Sequence, residues 1–478
     1  MFAQSAVAAT NGLARLSLAL LGMAVAVPTA GAAESALVDN VERLVSPYIE
    51  NQVVVGLTVG ILADDRQQVA GFGRLAIDQD RRPDGDTLYE IGSVTKALTG
   101  ILLGDAVVRG EVTLQTSMRE MLPEAPPGLA PSGLAKGDQP IHLLHLATHT
   151  SGLPRLPDDL NPTDPGNPYA DYSGDRLERF LQSAEPRQVP GDQTEYSNLG
   201  MGALGYLLAR RGNRSYEQLL AERLSGPLGM RSTVITLSDA LRQRLASPHS
   251  ADGLPERNWD FQALAGAGGV RSSVNDMLRM LAAQIEPPEG PIGEAIELAW
   301  QVHWQPQAGE DFALGLGWHV AKDGQTRWHN GQSGGYHAMV LVNRASRVAV
   351  VVLANSATPE VDRLAEDLFR MASGVSVEPR VFTPVMEVSE EVIRRYVGRY
   401  SVVPGFDLQV TIDKGRLMVR ATGQPAARIY PKSDVEWFYK VVDAQVTFQV
   451  DERGECHELT LHQNGRVLPA RRVDQPEQ

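Results

Sequence analysis

The chain has 478 residues, a formal net charge of −14, and 43% hydrophobic and 21% charged residues. That length can bury a large core in more than one small domain. The acidic balance, with no basic patch or stripe, argues against a nucleic-acid partner.

At the N-terminus Arg15 precedes an apolar run from Leu16 to Val27, followed by Pro28-Thr29-Ala30-Gly31-Ala32-Ala33. A positive flank, a short apolar run and a small-residue cleavage pattern predict a signal peptide over 1–33, cut near Ala32/Ala33, and a periplasmic or secreted protein. The run falls short of the roughly 20 residues a membrane span needs. An uncleaved anchor is the alternative. The lone cysteine, Cys456, excludes an intramolecular disulfide. With no partner arrangement around it, it does not read as a nucleophile.

From about Ser35 to Gly73 a helical segment leads into strands. The β-branched run Val53–Leu62 predicts a strand buried on both faces. The apolar approach Leu88–Ile91 then ends at Gly92, and Val94, Leu98, Ile101, Leu102 and Val107 are spaced for one buried helix face. Residues three apart share a side of a helix, so Ser93 and Lys96 are predicted to sit one above the other. A serine hydroxyl becomes a nucleophile when a neighbour takes its proton, and a buried lysine of lowered pKa can do that. Backbone N–H groups at the helix start can hold a developing oxyanion. A capping serine beside a solvated lysine is the structural alternative for so short a motif.

Further along, His142, His145 and His149 invite a zinc reading. No acidic residue completes an H-E-x-x-H pattern and the segment ends in a Ser151-Gly152-Leu153-Pro154 turn, so no metal is expected. Residues 155–195 read as a long irregular excursion. Tyr196-Ser197-Asn198 then runs into an apolar helix through Leu208, and a glycine turn at Gly268-Gly269 opens another helix. Strand-like runs follow at Gly315–Val320, Arg327–Asn330, Tyr336–Val342 and Val348–Asn355. Together these predict an α/β sandwich with an antiparallel sheet and a separate helical lobe.

Pro379 and Pro384 mark a linker over 377–387, after a main domain over 34–376. From 388 to 478 short alternating runs, punctuated by Asp413-Lys414-Gly415, Arg453-Gly454 and Asn464-Gly465, predict a small all-β barrel or sandwich. No catalytic cluster falls in it, and a structural or regulatory role is expected.

Three motifs stand in fixed order: Ser93-x-x-Lys96, Tyr196-Ser197-Asn198 and His329-Asn330-Gly331. Together they resemble the serine hydrolases that include class C β-lactamases, D-alanyl-D-alanine carboxypeptidases, D-aminopeptidases and related esterases. The likeness covers roughly Ser35 to Gly374 and extends to Leu146–Pro154, Pro227-Leu228-Gly229-Met230 and Gly268-Gly269-Val270. The β-rich tail resembles the lipocalin-like domain attached to some of these enzymes.

The resemblance implies a β-lactamase/transpeptidase-like α+β fold and a covalent acyl-enzyme mechanism without a cofactor. Ser93 would attack an acyl carbon while Lys96 and Tyr196 share general acid and base work; which of them takes the serine proton stays open. The family also suggests a tyrosine whose phenolate is stabilised by neighbouring cations. Asn198 would bond Lys96 and the substrate amide, and the N–H groups of Ser93 and Gln332, just past Gly331, would form the oxyanion hole. His329 stands where β-lactamases carry the lysine of K-T-G. Histidine is mostly neutral near pH 7, and Tyr-Ser-Asn with H-x-G resembles D,D-peptidases and D-aminopeptidases more than class C β-lactamases; the resemblance implies D-amino-acid peptides as substrates, with peptidoglycan as a candidate partner. A β-lactamase or carboxylesterase, and a slow penicillin-binding or peptidoglycan-sensing protein, are the rival readings.

Two rival motifs fail on context. Lys322-Asp323-Gly324 reads as a hairpin turn. Gly331-Gln332-Ser333-Gly334-Gly335 precedes a strand where a nucleophile elbow needs a helix.

Overall fold

The computed structural model describes residues 30–63, 65–122, 134–306 and 312–473. Of the predicted signal peptide only residues 30–33 are described, at the start of a helix, and the rest of that reading lies outside the described residues. None of the described helices is long and apolar enough to cross a membrane.

Seven strands form the central antiparallel sheet: β1 (Gly56–Ala63), β2 (Arg66–Gly73), β3 (Ala313–Leu314), β4 (His319–Val320), β5 (Thr326–Gln332), β6 (His337–Asn343) and β7 (Val348–Ala354). Their spatial order is β2-β1-β7-β6-β5-β4-β3, so the first hairpin of this sheet closes against its last. Both faces are covered, which is why β1 and β7 read as continuous apolar runs. Leu57, Val59 and Ile61 of β1 and Val350 and Val352 of β7 pack under helices α1 (Ala30–Glu50) and α6 (Glu360–Ala372). Val351 and Leu353 point to the opposite core, shared with α2 (Thr95–Val108), α3 (Asn198–Arg211), α4 (Val274–Ile285) and α5 (Pro291–Trp300). α2 is buried almost all round, as a helix apolar on every side must be.

Three expectations change. Gly315–Val320 is not one strand: Gly317 has φ +70° and folds the segment into a tight hairpin between β3 and β4. The 155–195 excursion contains a helix, Gly174–Ser183, whose Leu177 and Leu181 lie four apart on its buried face. Ser93 does not open α2 directly; it lies in a 3₁₀ turn, Gly92–Val94, ahead of it.

The linker runs without helix or strand, yet it is anchored. Val377 is buried, its carbonyl accepts from Arg43, and Phe382 packs edge-on against Tyr48 at 4.9 Å. The tail forms one nine-stranded antiparallel sheet. Its two edge strands, Ala427–Arg428 and Tyr430–Pro431, flank the single residue Ile429, so the sheet curls into a nearly closed barrel. Lys414-Gly415 and Asn464-Gly465 turn its hairpins with φ positive at both central residues, as two-residue turns of that hand require.

Candidate active site

Three segments from distant parts of the chain meet at the C-terminal end of β5. The first is the 3₁₀ turn. Gly92, at φ +49°, lies so close to β5 that a Cβ there would sit 2.7 Å from the Gln332 nitrogen. A Cβ on Gly331 would sit 2.1 Å from Ile91 O and 2.7 Å from the Ser93 nitrogen. Two glycines facing each other let the backbones of Ser93 and Gln332 approach this closely. The strand end is clamped from the other side by Asp362 of α6, which accepts from Asn330 Nδ2 at 2.8 Å and bonds His337 at 2.7 Å. His337 in turn holds the Gln332 side chain at 3.0 Å.

At the second position of α2, Lys96 is fully buried. Its Nζ lies 2.8 Å from Ser93 Oγ and donates to the Ala267 carbonyl at 2.6 Å. That carbonyl belongs to a helical turn, Ala265–Gly268, whose Gly266 carbonyl also accepts from Thr99 at 2.7 Å. Burial, and then the positive charge of Arg155, push the Lys96 pKa well below its ordinary value.

The second segment is the loop before α3. Ser197 caps that helix through Gly200 N, and its hydroxyl donates to Pro154 O at 2.7 Å. Tyr196, just ahead of the cap, shares a hydrogen bond with Ser93. Burial outweighs that bond and the Arg155 charge, so the phenol is pushed up to about 12. Its ring packs against His149 at 4.5 Å, with Lys96 Nζ at 4.8 Å and the Arg155 guanidinium at 5.1 Å from its centroid. Asn198 departs from expectation. Its side chain bonds the Tyr169 phenol rather than Lys96, and its buried Oδ1 has no partner.

The third segment is β5 itself. His329 pairs in register with Val340, whose side chain belongs to the core shared with the helical lobe, so His329 faces the same way. It is buried, its Nδ1 meets the Asn330 carbonyl, and its Nε2 is unpartnered. Burial, and then His319, Lys96 and His149, push its pKa far down, so the ring is neutral. His319 is held down to about 4 by burial and Lys96, and stacks on Trp328 at 4.4 Å.

Of the residues singled out in the sequence, Ser93, Lys96, Tyr196, Asn198, His329, Gly331 and Gln332 thus all come together at this end of β5. The histidines of the 142–149 segment divide: His142 and His145 stack on each other at 5.1 Å, whereas His149 accepts from Ser197 N at 3.2 Å and packs on Tyr196. That acceptor role leaves no lone pair on Nδ1 for a metal. Sequence reasoning passed over Arg155, Tyr169 and His319. Only the position of Arg155, next to the Ser151–Pro154 turn, offered a signal.

The β-lactamase family model matches residues 41–373. Residues 383–472 match a domain family described only as a domain of unknown function. A β-lactamase of Escherichia coli K12 is 31% identical over 294 residues, covering 60% of this chain and 72% of that protein. A Pseudomonas fluorescens β-lactamase is 25% identical over 360 residues, covering 68% and 95%. An Escherichia coli K12 protein named D-alanyl-D-alanine-carboxypeptidase/endopeptidase AmpH is 29% identical over 249 residues, covering 51% and 60%.

Proposed function

Since the chain belongs to the β-lactamase family of serine hydrolases, we propose that it is an exported acyl-hydrolase cleaving D-amino-acid peptides of the D-alanyl-D-alanine type through an ester on Ser93. The observation that carries the reading is the Lys96 nitrogen, buried and depressed in pKa, 2.8 Å from the Ser93 hydroxyl. A neutral amine there accepts the serine proton as Oγ attacks the acyl carbon. Tyr196, whose phenol keeps its proton up to about 12, is the acid. It gives that proton to the leaving nitrogen and recovers one from Lys96, so in net one proton passes from the serine to the departing amine and Lys96 and Tyr196 regain their starting states. Water then attacks the ester, and its proton returns to Ser93 Oγ as the acid leaves.

The N–H groups of Ser93 and Gln332 are the oxyanion donors of this scheme. Losing one such donor raises a barrier by about 3–4 kcal/mol. The unpartnered Asn198 Oδ1 supplies an acceptor for a substrate amide N–H. Export rests on the Arg15–Ala33 pattern, and a mature chain found to begin near Ala33 checks it.

Peptides are favoured over β-lactams because Tyr196-Ser197-Asn198 together with His329-Asn330-Gly331 in place of K-T-G resembles D,D-peptidases and D-aminopeptidases more than class C β-lactamases. The β-lactamase reading keeps its own support in the relatives of that name. Acetyl-D-alanyl-D-alanine, nitrocefin and p-nitrophenyl acetate assayed side by side rank the readings. The dipeptide is expected to have the highest kcat/KM; turnover of the ester alone would refute the peptidase assignment.

A further inference from the structure

Neither buried base near the nucleophile can hold a substrate's negative charge. Lys96 is fully buried and committed to Ser93 Oγ and the Ala267 carbonyl, and His329 is a buried ring whose pKa is pushed far down by burial and neighbouring cations. Among the described residues beside Tyr196, Arg155 is an exposed cation. Arg155 follows Pro154, and its backbone is pinned: the Pro154 carbonyl accepts from Ser197 and the Arg155 carbonyl accepts from Leu199 N at 3.1 Å. The guanidinium therefore starts from a rigid root and lies 5.1 Å from the centre of the Tyr196 ring. Its charge reaches Lys96, His149, Tyr169 and Tyr196.

No described carboxylate neutralises it. Two acidic residues close to this region, Asp158 and Glu195, are taken by Arg187 at 3.6 and 3.9 Å. A guanidinium beside a catalytic phenol, with all its forked donors free of described partners, suits a planar carboxylate.

We infer that Arg155 is the anion-binding group of this cleft, holding the carboxylate of an anionic substrate such as the C-terminal carboxylate of a D-alanyl peptide. The inference rests on the reading of Ser93 as the attacked-ester residue, because it places the carboxylate relative to that serine. It moves charge recognition from β5, where His329 stands, to the segment after Pro154 that is pinned to the start of α3.

Calorimetric titration of the Ser93→Ala protein with acetyl-D-alanyl-D-alanine and with its C-terminal amide isolates binding from turnover. The acid is expected to bind at least about tenfold more tightly than the amide. Adding Arg155→Gln collapses that ratio towards one, and Arg155→Lys retains part of it. An unchanged ratio in Arg155→Gln overturns the inference. So does equal weakening of acid and amide, which would make the side chain a packing partner of Tyr196, and so does failure of both dipeptides to bind. Failure of the hydrolase reading shows elsewhere, as absent turnover by the protein with Ser93 intact, so the two are told apart.

Discussion

Lys96 is the residue on which the proposed chemistry turns, and its burial has a thermodynamic consequence. Its pKa falls from the ordinary 10.5 because the folded protein removes its water. Between the depressed native value and 10.5 the unfolded chain holds a proton that the native chain lacks, so stability rises with pH across that window. Methionine, unbranched and uncharged, fills similar space without the proton. Lys96→Met is therefore expected to lower turnover by about 10²–10⁴-fold and to melt a few degrees higher at pH 7. The melting advantage narrows as the pH approaches 10. A difference in melting temperature that does not change with pH would show that Lys96 is not neutral in the folded state.

At the scale of elements, the cleft depends on how closely the 3₁₀ turn and β5 approach. Gly331 makes that contact possible, since any side chain there meets Ile91 O and Ser93 N. Gly331→Ala is expected to push β5 away from Ser93 and cost about 10²–10³-fold in kcat, comparable to loss of an oxyanion donor. Some loss of melting temperature should accompany it, because Ile91 and Val94 beside the contact belong to the core of the helical lobe. Normal kcat in that variant would exclude the Ser93 and Gln332 N–H pair as the oxyanion site.

The same element shows what a sequence makes readable. Short motifs named the turn, the loop and the strand because each motif's chemistry is local: a serine one turn from a lysine, a tyrosine ahead of a helix cap, a glycine at a strand end. What stayed hidden was set by pairing between segments. Asp362 and His337 clamp β5 from α6 across 25 residues of chain. Arg155 acquires meaning only when Ser197 and Leu199 pin it beside Tyr196. The helix Gly174–Ser183 went unread because the Pro, Gly and Asp residues around it masked its apolar spacing.

Across the whole molecule, the fold class was legible because both domains obey simple periodicities: continuous apolar strands in the covered sheet, alternating ones in the barrel. How the barrel rests on the main domain was not. Arg416 and Arg428 donate to the Gly253 and Asp252 carbonyls at 2.9 and 3.3 Å, and Lys440 donates to the carbonyls that end α1, including Gln52 at 2.8 Å. Side chains grip main-chain oxygens here, an interaction that leaves no pattern in either partner's sequence. The loop so held, around 250–259, carries Asn258 and Trp259 to Glu90, two residues before Gly92. The barrel thus bears on the segment that leads to Ser93.

The central claim is that these distant pieces of chain make Ser93 an acylated residue. Peptide mass spectrometry after reaction with a fluorescent penicillin tests it most directly. The adduct is expected on the peptide containing Ser93, absent from Ser93→Ala and present in Ser333→Ala. An adduct that persists in Ser93→Ala and disappears in Ser333→Ala would contradict the account.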